Sequence, residues 1–193
     1  MRLRFARTAF LAFTILALPA AASAQISLIP RIGVYIPAGE FAEIEDELEQ
    51  TFEVDKEAAF TIGATVELSR FYAGFDYVTG SDLTSDGLED GDNLGNGSML
   101  ALAGGFVLRP GIPVIQPHIR LGAGVKVQDY SFDNEDLDEA FPENDTDFTL
   151  HGAIGFSLMI GGIGVSAELA DYVTADGFEP NDLIASLGLR FAF

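Results

Sequence analysis

The sequence predicts an all-β fold, an eight-stranded antiparallel up-and-down transmembrane β-barrel. Three observations carry that prediction. From Leu183 to Phe193 one face reads Leu183, Ala185, Leu187, Leu189, Phe191, Phe193, an apolar stripe that runs through the final residue. Seven earlier segments repeat this two-faced alternation, and the connections between them are short and long in turn. One face in lipid and one in a lumen, with short turns at one end and long loops at the other, is what the strands of an outer-membrane barrel require.

The elements follow in chain order. Residues 1–24 carry Arg2, Arg4 and Arg7, an apolar stretch from Ala9 to Leu18, and then Ala22-Ser23-Ala24. This layout predicts a cleavable signal peptide cut between Ala24 and Gln25, with residues 25–193 as one barrel domain. The apolar run is shorter than the roughly 20 residues a spanning helix needs, and no later segment approaches that length. Alternation then predicts strands over Ile26–Ile36, Ala58–Leu68, Phe71–Val78, Ser98–Leu108, Val114–Val127, Phe148–Ile160, Ile163–Val173 and the terminal segment. Short turns fall at Ser69–Arg70, Arg109–Pro113 and Gly161–Gly162, and long connections at Pro37–Glu57, Thr79–Gly97, Gln128–Asp147 and Thr174–Asp182. With both termini on the periplasmic side, the long loops face outward.

The second face of each strand supports closure. It carries Arg31, Glu67, Asp76, Arg109, Arg120, Lys126, Glu168 and Arg190, together with His118, His151, Tyr35, Tyr72 and Tyr172. A charge in a lumen is costly unless paired, so these charged residues are expected to form one network, with five bases against three acids. Glycines recur on the same face, among them Gly33, Gly63, Gly74, Gly105, Gly122, Gly155, Gly164 and Gly188, and leave room for the long side chains. Pro30 and Pro117 each remove a ladder donor, a cost smallest near strand ends.

Composition narrows the function. The chain has no cysteine, which removes disulfides and thiolate metal sites. Beyond residue 24 it holds seven Lys/Arg against thirty Asp/Glu, a balance that repels phosphate backbones and excludes nucleic acid as a partner. The excess acid lies in the connections: nine carboxylates over Glu40–Glu57 against Lys56 alone, and nine over Gln128–Asp147 with no base.

The stretches Pro30-Arg31-Ile32-Gly33-Val34-Tyr35-Ile36-Pro37 with Gly39, Gln116-Pro117-His118-Ile119-Arg120-Leu121-Gly122-Ala123-Gly124, Gly164-Val165-Ser166-Ala167-Glu168-Leu169 and Leu187-Gly188-Leu189-Arg190-Phe191-Ala192-Phe193 carry a resemblance. Over its whole mature length the chain resembles the small OmpA-like outer-membrane β-barrel proteins. The resemblance implies location in the bacterial outer membrane among its lipids. It also implies insertion by the barrel-assembly machinery, which in such proteins reads the last strand, with Phe191 and Phe193 as the assembly signal. Members serve as adhesins, envelope-stabilising proteins, small pores or lipid-modifying enzymes. The periplasmic peptidoglycan-binding domain that many relatives carry is not expected, since the sequence stops at the last strand.

The loops offer one candidate ligand site. Asp86, Asp90 and Asp92 lie in a glycine-spaced, oxygen-rich run, and calcium or magnesium takes such oxygen ligands, although the spacing is not that of an EF-hand. No other cofactor is expected. Phe41, Ile44, Leu48 and Phe52 stand at helical spacing and predict a turn or two of helix capping the barrel mouth. For catalysis His151, His118, Ser157, Ser166 and Glu168 are the available groups, and alternation puts all of them in the lumen. No Gly-x-Ser-x-Gly elbow occurs, so an enzyme is not expected. The reading is therefore a monomeric barrel with a structural or surface-interaction, adhesin-like role toward an extracellular ligand. A narrow, weakly anion-preferring pore is the alternative, and a lipid-modifying enzyme the less favoured third.

Overall fold

In a computed structural model the described residues are 26–37, 42–45, 51–85, 93–110, 114–132, 144–174 and 182–193. Residues 1–24, and with them the predicted signal peptide, lie outside that set. The described residues form ten antiparallel strands: β1 (Ile26–Pro37), β2 (Ala42–Glu45), β3 (Thr51–Lys56), β4 (Ala59–Leu68), β5 (Phe71–Ser85), β6 (Asn93–Leu108), β7 (Ile115–Phe132), β8 (Asn144–Ile160), β9 (Ile163–Thr174) and β10 (Asp182–Ala192). Eight of them close a ring in the order β5-β4-β1-β10-β9-β8-β7-β6, sealed by the β5–β6 ladder. The closing seam between first and last strands runs from Ser27↔Ala192 to Pro37↔Asp182. Closure leaves no edge in the ring, so every backbone group in the lipid zone can be satisfied by a neighbour.

The eight predicted strands are all found, and several run further than their apolar pattern. β5 continues past Val78 through a register shift between Val78 and Ser81, where Gly80 takes φ 32°. Ladder pairs then extend to Thr84↔Asn93. β6–β7 pairing reaches Gly95↔Phe132, and β7–β8 pairing reaches Asp129↔Asn144. In these extensions the outward face is polar, with Asp82, Asn96, Asp129 and Ser131, so the apolar stripe of the belt ends, although Leu83, Tyr130 and Phe132 are buried on the inward face. The ladder is made by backbone groups and persists. Much of what reads as long loop is therefore strand.

The helical reading of Phe41–Phe52 is corrected. Ala42–Glu45 and Thr51–Lys56 form an antiparallel pair with register Ala42↔Val54 to Glu45↔Thr51, and β3 adds to β5 through Val54↔Ser85, Asp55↔Thr84 and Lys56↔Leu83. The reach of β5 beyond the belt supplies β3 with a ladder partner, and this pairing outweighs the spacing of four apolar residues. Phe41 and Leu48 lie outside the described residues.

The prolines sit where their cost is small. The β1–β10 ladder pairs Leu28↔Phe191 and resumes at Arg31↔Gly188, stepping over Ile29 and Pro30 without a change of register. Pro117 lies past the end of the β6–β7 ladder at Leu108↔Ile119 and pairs only toward β8. At the short-turn end, Ser69 (φ 59°) and Gly161 (φ 64°) open two-residue turns in the left-handed region.

Burial inverts the arrangement of a water-soluble protein. Ile32, Ile154, Leu187 and Phe106 are 56–62% exposed, whereas Arg120, Glu67 and Asp76 are 1% exposed. The exposed apolar side chains form a belt on all eight ring strands. Toward the long-loop end the belt gives way to outward Asp82, Asn96, Asp129, Ser131 and Thr146, all exposed. At the short-turn end Phe71 and Phe106 stack with ring centroids 5.0 Å apart, and Phe193 is 78% exposed on the outer face, an aromatic girdle of the kind that marks a membrane interface.

Candidate functional site

The candidate site is the lumen, whose polar side chains are held in register by the strands around them. Arg31 on β1 faces Gly63 on β4, and Gly63 faces Asp76 on β5. Arg31 reaches across that glycine and donates from Nε to Asp76 Oδ1 at 2.9 Å and from Nη2 to Oδ2 at 2.6 Å. A Cβ on Gly63 would meet the Asp76 carboxylate and lie 3.2 Å from Arg31 Nε. The same construction recurs. His118 and Glu168 flank Gly155, with His118 Nε2 2.9 Å from Glu168 Oε2. Tyr72 and His151 flank Gly105 and Gly122, and the Tyr72 hydroxyl is 2.6 Å from His151 Nδ1. Each bond between distant strands passes over residues with no side chain.

All eight charged residues singled out in the sequence point inward, and seven of them, all but Lys126, are brought together. Glu67 Oε1 accepts from Arg120 Nη2 at 2.9 Å, and Glu67 Oε2 accepts from Arg109 Nη2 at 2.6 Å and Arg190 Nη2 at 2.5 Å. Arg120 Nη1 also donates to Glu168 Oε2, and Arg31 Nη1 lies 3.8 Å from Glu168 Oε1. Arg190 Nη2 reaches Ser27 Oγ at 2.8 Å. The network thus runs unbroken from Asp76 through Arg31, Glu168, Arg120 and Glu67 to Arg109 beside the β6–β7 turn.

Lys126 belongs to a separate cluster nearer the long-loop end. It donates to Asp182 Oδ2 at 2.7 Å and to Thr174 Oγ1 at 3.0 Å, and the Tyr35 hydroxyl donates to Asp182 Oδ1 at 2.5 Å. Asp182 is the residue that sequence reasoning missed. It lies at the end of a connection rich in turn residues, and only its place in the even phase of Ser186, Gly188 and Arg190, opposite to Leu183, Ala185 and Leu187, marks it as inward. Asp182 thus adds a further inward acid to the three singled out in the sequence. Lys56 adds a further bridge above, to Gln128 Oε1 and the Tyr130 hydroxyl, both at 2.9 Å.

Several bonds span the bore. β5 and β9 lie on opposite sides of the eight-strand ring, and the Tyr172 hydroxyl on β9 donates to Asp76 Oδ2 on β5 at 2.5 Å. His151 stacks between Tyr72 and Tyr172, with ring centroids 5.5 and 4.7 Å away. At mid-height Tyr72, Asp76, His151, Tyr172, Arg31 and Arg120 are each no more than 8% exposed. A cross-section filled by bonded side chains matches the capacity of an eight-strand barrel.

Four of the catalytic candidates form two separate pairs, His118 with Glu168 and Ser157 with Ser166. Ser157 Oγ is 3.2 Å from Ser166 Oγ, and Ser166 also contacts the Phe156 carbonyl. Among the described residues no hydrogen bond links either serine to His118 or His151, and no group of three His, Cys, Asp or Glu has metal-binding spacing. Asp86, Asp90 and Asp92 lie outside the described residues.

A closed ring, an apolar belt facing outward and a charged, cross-bonded interior together define an eight-stranded transmembrane β-barrel of the outer-membrane class, the fold that the OmpA-like resemblance implies. Only helices and closed barrels satisfy their backbones in lipid, and barrels of this build are proteins of the bacterial outer membrane; that is where the belt places this chain. The structure is similar to that of the outer membrane protein OprG from Pseudomonas aeruginosa, with a TM-score of 0.64 and 14% identity over 88% of this chain and 96% of that one. It is also similar to the N-terminal β-barrel domain of OprF from the same organism, with a TM-score of 0.50 and 13% identity over 89% and 100% of the two chains. At such identities the likeness is one of fold. No protein-family model and no curated protein sequence matches the chain.

Proposed function

We propose that the protein is a non-conducting, non-catalytic barrel that anchors in outer-membrane lipids and works through its long-loop end as a structural or surface-interaction element. The observation that carries this reading is the bore-spanning bond from Tyr172 to Asp76, set among buried, mutually bonded side chains. A solute would have to break several charged hydrogen bonds to pass. Strands that continue beyond the apolar belt support the same reading, because they raise the connections on a rigid wall, and loops on rigid scaffolds are where binding residues concentrate. In this proposal the ligand is extracellular, the working unit is a monomer, and the acidic loops, including Asp86, Asp90 and Asp92, hold calcium or magnesium. The barrel-assembly machinery reads Phe191 and Phe193.

Two measurements test the proposal. Purified protein in planar bilayers is expected to give no conductance steps; steady channels would replace the scaffold reading with the narrow pore. Pull-downs from the organism's surroundings are then compared between the intact barrel and one whose segments 46–50, 86–92, 133–143 and 175–181 are shortened to tight turns. The intact barrel is expected to retain partners that the trimmed barrel loses, and equal retention would remove the surface-interaction role.

A further inference from the structure

Among the described residues, the charge network at the short-turn end of the lumen has one more cation than carboxylates, and the surplus is localised. Four cations, Arg31, Arg109, Arg120 and Arg190, are joined there to three acids, Glu67, Asp76 and Glu168. Two of the acids have a cation of their own: Asp76 has Arg31 and Glu168 has Arg120. Arg109 and Arg190 are left to share a single oxygen, Glu67 Oε2, at 2.6 and 2.5 Å. Among the described residues neither has a second carboxylate within ion-pair distance.

An independent observation falls on the same two side chains. Arg190 Nε and Nη1 and Arg109 Nε are buried and make no hydrogen bond to any described residue. Arginine cannot shed its proton to relieve this, and a buried N–H of a charged group left without an acceptor is costly. A surplus positive charge and unfilled N–H donors at one place call for an acceptor that carries negative charge.

We infer that the short-turn end of the lumen, between Arg109 and Arg190, binds one small monovalent inorganic anion of the chloride class. Its single charge balances the single surplus cation. A lipid phosphate does not fit the position, because the Arg190 side chain is 3% exposed and lies inside the barrel wall. The anion reaches the site from the aqueous mouth, where the Arg109 side chain is 18% exposed. This inference concerns a bound ion rather than a conducted one, so it stands whether or not the proposed scaffold role does.

The test uses crystals of the intact barrel grown with bromide in place of chloride, read by anomalous scattering. The expected result is a bromide peak in hydrogen-bond contact with Arg190 and Arg109. A position occupied by water alone, or bromide found only on the outer surface as an adventitious ion, overturns the inference. Arg109→Gln removes the surplus charge at the more accessible of the two arginines and is expected to abolish the peak, whereas Arg109→Lys keeps it. A peak of undiminished height in Arg109→Gln would refute the charge argument.

Discussion

Arg31 and Asp76 form a two-point ion pair over Gly63, the residue of the intervening strand that lies level with both. Their strands, β1 and β5, do not touch there, so the pair depends on the absence of a side chain between them. A methyl group at Gly63 would occupy the position of the Asp76 carboxylate. Gly63→Ala is therefore expected to separate the pair and leave two buried charges poorly matched, at a cost of about 3–5 kcal/mol. Denaturant unfolding from lipid vesicles measures it. An unchanged midpoint would mean that the pair relaxes freely around the methyl group.

Glu67 and Arg109 should respond very differently to neutralisation, although they bond each other. Among the described residues Glu67 is the sole carboxylate facing both Arg109 and Arg190, and it also binds Arg120. Glu67→Gln leaves clustered guanidinium groups facing one another and is expected to cost about 3–5 kcal/mol. Arg109→Gln removes a partly exposed partner and is expected to cost no more than about 1 kcal/mol. The same vesicle assay compares them, and equal losses would contradict the asymmetry.

Inside and outside were legible from alternation alone, because each strand crosses between lipid and lumen with a period of two. Ile32, Leu187 and Ile154 are lipid-facing and Arg31, Arg120 and Glu168 are buried for that reason. Which lumen groups meet was not legible, since Arg31 and Asp76 lie 45 residues apart and their meeting depends on the shared level of β1, β4 and β5. The inward glycines were the available clue: Gly63, Gly155 and Gly122 mark the places where one side chain crosses to another. Strand ends were hidden for a different reason. Above the belt the outer face is wet, so Thr79–Ser85 and Asn93–Ser98 lose the outward apolar stripe although Leu83 stays buried and their backbones remain paired. Asp182 was lost in the same way, as a carboxylate at the boundary between loop-like composition and strand.

Phe193 offers a test of assembly in cells. Its ring is 78% exposed on the outer face, and its amide donates to the Ile26 carbonyl at 2.8 Å. The side chain adds no lumen contact to the described network, so Phe193→Ser is expected to leave the stability of refolded barrel within about 1 kcal/mol. If Phe191 and Phe193 serve as the assembly signal, the same substitution lowers the amount of folded barrel in outer-membrane fractions severalfold. Heat-modifiable migration on gels reads that amount. A normal level in cells would remove the signal role while leaving the fold untouched.

The lipid belt makes the most exposed prediction. Ile154 is 62% exposed in the middle stretch of β8, and on β7 the outward Ser131 lies beyond the last belt residues in a stretch that faces water. Ile154→Arg places a cation in hydrocarbon and is expected to cost about 2–4 kcal/mol in vesicles, the range for arginine near a bilayer midplane. Ser131→Arg stays outside the belt and is expected to cost less than about 1 kcal/mol. Both substitutions add the same charge to the same outer surface, so protein charge alone predicts equal effects. A large loss at Ile154 with little at Ser131 can arise only if lipid ends between their levels. Equal losses, or a larger one at Ser131, would mean that the apolar face of this barrel does not meet a membrane.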